Sequence, residues 1–404
     1  MTPRPSDRTA LLGALSLFLS AIDYVLPKPL PFMRLGLANL SLLLALSVPA
    51  FRENPAGETA GLSLGKSPAE RSGLPLFSPQ SYCLLALLKV TGQAFITGTF
   101  LSYVFLFSLA GSAVSAALMY GLRRLFGTRI SLAGISVAGA FASNSVQLVL
   151  ARFFLFGESA AYLAPPFLAA GIVSGAALGI FADVFAARSR LLRTWAREPP
   201  APAKTARAPD PPEQEHTART PARRNLPSLP LFFAGLGAGA VFLVIPRPGV
   251  KAALLVLFWL LAVLAGKKPR LLAAAVVMAG IVICNLFPPF GRIIASAGPF
   301  TVALGSLESG VRKALNFEGL VMLSRLIVSA EPRLPGAFGN LLAETFRILD
   351  RFNSRRSLFT GAAGKDNDSA ANNNTANPAR KKRFMERLDL LLLEQYTKHQ
   401  NTGL

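Results

Sequence analysis

The sequence predicts an all-α polytopic membrane protein: a six-helix N-terminal bundle joined to a second helical membrane domain. Two observations predict it. The 404 residues are 52% hydrophobic and 16% charged, with long charge-free runs, a balance typical of bilayer proteins. The formal net charge of +21 comes from Lys and Arg clustered at the ends of apolar segments, as positive-inside topology requires. That clustering argues against nucleic acid as a partner and for a lipid bilayer.

A bilayer core of about 30 Å asks for about 20 apolar residues per helix. The first half offers six such segments, at 10–26, 35–51, 80–96, 99–122, 131–156 and 160–187. The first follows Arg4 and Arg8 and could be a secretory signal, but no small-x-small cleavage site precedes Pro27, so it counts as a span. Arg52, Lys66 and Arg71 follow the second segment, Arg123, Arg124 and Arg129 the fourth, and Arg188, Arg190, Arg193 and Arg197 the sixth. The alternate loops hold only Lys28 and Glu158, with Arg152 near the outer end of the fifth segment. Both ends of the bundle, the N-terminus included, are therefore expected in the cytoplasm, in a multi-pass protein of the cell membrane.

The domain boundaries follow from composition. Residues 1–190 form the first domain, and the Pro-, Ala- and Arg-rich stretch 191–228 reads as a flexible linker. The second domain, 229–355, has apolar segments at 229–246, 251–266, 270–287 and 314–330, a less regular region at 292–307, and an amphipathic helix at 334–352. Residues 356–404 read as a disordered tail with one short amphipathic helix near its end, suited to a membrane surface or a partner.

Polar groups at membrane depth are costly and mark function or internal pairing. Lys89 and Gln93 share a face of the third helix, and Asn144 and Gln147 a face of the fifth. Asp23, Arg34 and Asn39 fall near the outer ends of the first two. The set mixes both charges with amides. It reads as a substrate-binding pocket for a small-molecule solute, with Arg34 and Asn39 at its mouth; the alternative is mutual hydrogen bonding, with Lys89 paired to Asp23. Small residues four apart allow close helix contact: Gly171, Gly175 and Gly179 in the sixth helix, read as internal packing, and Ala10 and Ala14 in the first, read as a partner surface.

Enzyme chemistry finds no support. Cys83 and Cys284 sit in apolar segments, and His216 and His399 lack metal-ligand spacing, so neither a metal site nor a cofactor is expected. No Asp-Asp-x-x-Asp motif provides the clustered oxygens that magnesium needs for diphosphate chemistry. AGLSLGKS at 60–67 misses a P-loop at Ala60 and follows no strand, so any ATP-driven step requires separate ATPase subunits.

Three stretches, SAIDYVLPKPLPFMRLGLANL, SYVFLFSLAGSAVSAALMYGLRRLFG and SLAGISVAGAFASNSVQLVLA, resemble the heptaprenyl diphosphate synthase component I family, also called the Gx transporter family, over about residues 8–187. That family is similar to the S components of energy-coupling-factor transporters, six-helix proteins that capture vitamins or related solutes. The resemblance implies that Ala10 and Ala14 contact a transmembrane coupling subunit. This chain departs from the family pattern at Ser143 and Lys89 and in an inserted loop at 52–78. PFTVALGSLESGVRKALNFEGLVMLSRLIVS is similar to part of the T component of the same transporters, which adds Arg325 to the coupling residues. The expected function is solute binding in energy-coupled uptake; the alternative is an accessory or scaffold subunit of isoprenoid synthesis.

Overall fold

A computed structural model of the chain describes residues 5–25, 36–47, 77–197, 228–266, 271–297, 300–327, 336–354, 386 and 388–397. Arg34, nearly all of the inserted loop, the linker from 198 to 227 and the tail from 355 to 385 lie outside the described residues. The fold is helical, and the six expected N-terminal segments correspond to α1 (Pro5–Val25), α2 (Asn39–Ser47), α3 (Pro79–Thr97), α4 (Tyr103–Phe126), α5 (Leu132–Ala151) and α6 (Ala160–Arg188).

Local chemistry sets the boundaries. Ser78 caps α3 by accepting from the amide of Ser81, Pro79 occupies the first turn, and Gly98 stops the helix in the left-handed region at φ 66°. Ser131 caps α5 through the amide of Gly134. The carboxylate of Asp183 in α6 accepts from the next two free α5 amides, Leu132 and Ala133, at 3.2 Å each. Those amides form the positive end of the helix, so one anion both satisfies and attracts them.

The α5–α6 seam is lined by the glycine row, which packs inside the chain. A methyl group at Gly175 would come within 2.9 Å of the Ala140 Cβ, and one at Gly179 within 2.4 Å of the Ala133 Cα. Only glycine lets the two backbones approach this closely.

The linker begins later than composition suggests. Residues 190–197 form α7 (Arg190–Arg197), because Leu191, Leu192 and Trp195 recur at helical spacing and are buried. The second half contains α8 (Ser228–Val244), α9 (Pro248–Leu264), α10 (Leu271–Asn285), α11 (Leu304–Ile327) and α12 (Gly336–Ser354). Helix α11 starts ten residues before the apolar segment that announced it. Its first turns, LGSLESGVRK, are polar enough to escape a hydropathy reading. The less regular region before it holds a hairpin, β1 (Ile293–Ala297) and β2 (Phe300–Ala303), with Ala297 opposite Phe300.

Among the described residues, two helical runs are long and apolar enough to cross a membrane, Tyr103–Phe126 and the nearly continuous Leu132–Arg188. Three shorter apolar helices lie in the second half. The main core joins α1, α2 and α3 to α7, α12 and the helical stretch at 388–397 through Leu15, Leu42, Leu88, Trp195, Leu342 and Leu392.

Candidate functional site

A polar cavity of about 60 Å³ lies among α1–α6. It collects Asp23 from α1, Asn39 from α2, Lys89 and Gln93 from α3, and Asn144 and Gln147 from α5. These are the candidate binding residues of the sequence, all except Arg34, which lies outside the described residues.

Asp23 and Lys89 are both almost entirely buried, at 3% and 6% exposure. Charges withdrawn this far from water need polar neighbours. Lys89 Nζ donates to Asn39 Oδ1 and, at 3.3 Å, to Ser112 Oγ. Asn144 Nδ2 donates to the Phe167 carbonyl at 3.0 Å, and Gln147 Nε2 to Ser143 Oγ at 3.0 Å. Each α5 amide is thus oriented through its nitrogen. The oxygens of Asn144 and Gln147, the Gln93 amide and the Ser136 hydroxyl make no hydrogen bond among the described residues. They remain available to a guest.

Glycines make room for this arrangement. A methyl group at Gly171 would lie 2.2 Å from Asn144 Nδ2, and one at Gly111 would lie 2.8 Å from both Gln147 Nε2 and Ser143 Oγ. The sequence reading missed the serines that complete the wall: Ser108 and Ser112 of α4, Ser136 and Ser143 of α5, and Ser174 of α6. Their signal was present. Ser136, Ala140, Ser143, Asn144 and Gln147 follow the i, i+4, i+7, i+8, i+11 spacing of one helix face.

Of the candidate coupling residues, Ala10 and Ala14 have no exposed surface. Helix α12 of the same chain packs on α1 there, with Thr345 and Leu88 flanking Gly13 and Phe18 meeting Phe352 at 5.8 Å. Arg325 lies against the α3–α4 turn, its Cγ 3.1 Å from where a Gly98 side chain would begin. Its neighbour Ser324 accepts from the Leu101 amide at 3.0 Å.

A second polar group occupies the C-terminal half. Lys251, 1% exposed, donates to the Leu243 carbonyl at 3.1 Å and to Asn316. Lys313 donates to Asn285, which in turn donates to the Leu155 carbonyl at 2.7 Å. The tail helix docks in its turn: Asp389 accepts from Ser189 Oγ and from the amides of Arg190 and Leu191 at the start of α7.

Among the described residues no group of three or more His, Cys, Asp or Glu could hold a metal ion. Neither a curated protein nor a solved structure matches the chain significantly. Residues 232–330, spanning α8 to α11, match a family described only as a domain of unknown function (DUF8519). Residues 72–185, from the start of α3 through most of α6, match the family of heptaprenyl diphosphate synthase component I.

Proposed function

We propose that the N-terminal half is a membrane-embedded solute-binding bundle and that the chain belongs to an energy-coupled uptake system. The observation that carries this reading is the convergence of buried Asp23 and Lys89 with half-buried Gln93, Asn144 and Gln147 on one cavity. Residues that serve only fold specificity gain nothing from uncommitted hydrogen-bonding groups around a void, and such groups cost stability when buried. A binding site needs them.

The outer surface supports a bilayer setting. Phe153, Tyr162, Val173, Val241, Leu264 and Leu272 expose between 65% and 82% of their surface on α6, α8, α9, α10 and the turn after α5, more apolar surface than a water-soluble monomer leaves open. With the alternation of basic loops, this favours a multi-pass protein of the cytoplasmic membrane with its N-terminus inside.

In this reading Arg34 and Asn39 stand at the mouth of the cavity, and Lys89, Gln93, Asn144 and Gln147 hold the solute. Helix α12, packed on α1 at Gly13 and Phe18, acts as a coupling element in cis, with Arg325 bracing the α3–α4 turn. Separate ATPase subunits supply the energy, and a further transmembrane coupling subunit could join them. The second reading, a non-transport accessory subunit of isoprenoid synthesis, is favoured by the description of the family matched at 72–185. It has no use for the cavity.

Native mass spectrometry of the purified chain tests the choice. A retained small molecule, lost in Asn144→Ala and in Lys89→Ala, supports solute binding. A wild-type chain that holds nothing across a metabolite panel, yet stimulates a catalytic synthase component, would overturn it in favour of the accessory role.

A further inference from the structure

The helical stretch at 388–397 buries one face against the rest of the chain. Leu388, Leu391, Leu392, Gln395 and Tyr396 are buried, and their i, i+3, i+4, i+7, i+8 spacing is a single helix face. Tyr396 meets Trp195 of α7 edge-on at 5.7 Å, and Arg8 of α1 lies over the same ring at 5.7 Å.

Helix α7 offers this stretch more than apolar surface. Ser189 caps α7 by accepting from the Leu192 amide at 3.2 Å. Asp389 then accepts from Ser189 Oγ, from the Arg190 amide at 2.8 Å and from the Leu191 amide at 3.4 Å. Those amides are the positive start of the helix, and the exposed Arg188, Arg190 and Arg193 flank them in the chain. The seat thus selects a carboxylate at one point and apolar side chains two, three and seven residues further on.

Two features make the occupant exchangeable. Ten ordered residues bury only four large apolar side chains, Leu388, Leu391, Leu392 and Tyr396, and so short a helix adds no stability of its own. Gln395 Oε1 and Trp195 Nε1 are buried without a hydrogen bond among the described residues, a cost that water relieves when the contact opens.

We propose that α7 and its capping Ser189 form a docking seat for an acidic amphipathic helix, filled here by the chain's own tail, which gives way to a helix of the same pattern from a partner subunit. The inference does not depend on what the cavity binds. A tethered occupant competes at an effective concentration in the millimolar range, so an added helix sees only the open fraction of seats.

A fluorescein-labelled peptide of residues 384–401, FMERLDLLLLEQYTKHQN, titrated with the purified full chain in lipid nanodiscs, tests this by fluorescence anisotropy. Saturable binding is expected. One substitution should then act with opposite signs on the two sides. Asp389→Ala in the peptide should weaken binding about 10-fold, the loss of a charge-assisted contact. Asp389→Ala in the chain loosens the tethered competitor and should tighten binding of the unmodified peptide by up to about the same factor. A tail that serves only as part of the core predicts neither. Absence of saturable binding to both chains, equal binding by the Asp389→Ala peptide, or weaker binding to the Asp389→Ala chain overturns the proposal. Where that variant does not fold, hydrogen exchange of the unmodified chain decides: 388–397 should exchange faster than α12, and equal protection overturns the exchangeable seat. A dimer on size exclusion that the peptide dissociates would make the other occupant a second copy and overturn the partner subunit.

Discussion

Substituting Gly179 by alanine tests whether the α5–α6 seam is as tight as it looks. The added Cβ would lie 2.4 Å from the Ala133 Cα, 2.9 Å from the Leu132 carbonyl oxygen and 2.9 Å from the Ser136 Cβ. Ordinary contact begins at 3.4 Å, so α6 must retreat by about 1 Å. No rotamer change can relieve the clash, because the two nearest atoms are backbone. The same stretch of α5 is tethered to α6 by Asp183. Overpacking of this kind costs about 1–3 kcal/mol. At about 2–4 °C per kcal/mol for a domain of this size, Tm should fall by roughly 2–12 °C. Gly280 of α10, with nothing within 4 Å of its added Cβ, is the control. There alanine should be neutral, or stabilising by up to about 1 kcal/mol, from helix propensity alone. Thermal unfolding of the purified variants compares them directly. Equal melting of Gly179→Ala and Gly280→Ala would refute the reasoning. The effect should also reach the cavity, since Ser136 and Asn144 stand on the displaced face.

Asp183→Ala leaves the Leu132 and Ala133 amides without their acceptor and should cost about 1–2 kcal/mol, read as a lower Tm and faster amide exchange at the start of α5. Asp389→Ala removes the acceptor for Ser189 Oγ and two α7 amides; hydrogen exchange should rise at 190–197 and 388–397 together and nowhere in α4–α6. Lys251→Met strands the Asn316 oxygen and the Leu243 carbonyl, for about 1–3 kcal/mol; solute retention should be unchanged, because Lys251 is outside the cavity wall.

The six N-terminal helices were legible because each is an apolar run bounded by turn-forming or charged residues, a signal local to the chain. The amides and charges of the cavity were legible for a related reason: Lys89, Gln93, Asn144 and Gln147 are out of place in such runs. The serines carried only the weaker signal of a shared face, since a serine in an apolar helix reads as a small residue and bonds its own backbone, as Ser145 does to Phe141. Helix α7 was hidden by a window dominated by proline and arginine beyond it. The cover on Ala10 and Ala14 was hidden for a deeper reason. Helix α12, which packs on α1 beside them at Gly13 and Phe18, is more than 300 residues away in the sequence, so an exposed docking face and an internally occupied one look identical in α1 alone.

That internal occupancy brings α12 against α1, which itself packs on the cavity-lining helix α3. Gly13 of α1 faces both Leu88 of α3 and Thr345 of α12, and one turn along, Leu17 fills the space over Gly92 at 2.7 Å. Leu88 and Gly92 sit beside Lys89 and Gln93, which line the cavity. Close-packed contacts of this kind have no slack to absorb a displacement, so packed elements move as units. On the solute-binding reading, a solute held beside Lys89 and Asp23 therefore acts on α3 and α1 together, and α12 rests against both at Gly13. The second attachment, Leu101 to Ser324, holds the far end of α3 to α11. On the solute-binding reading, reorienting the N-terminal half against the C-terminal half strains these contacts together with the Asn285–Leu155 bond, and the glycines at 13 and 98 mark where two of the approaches are close.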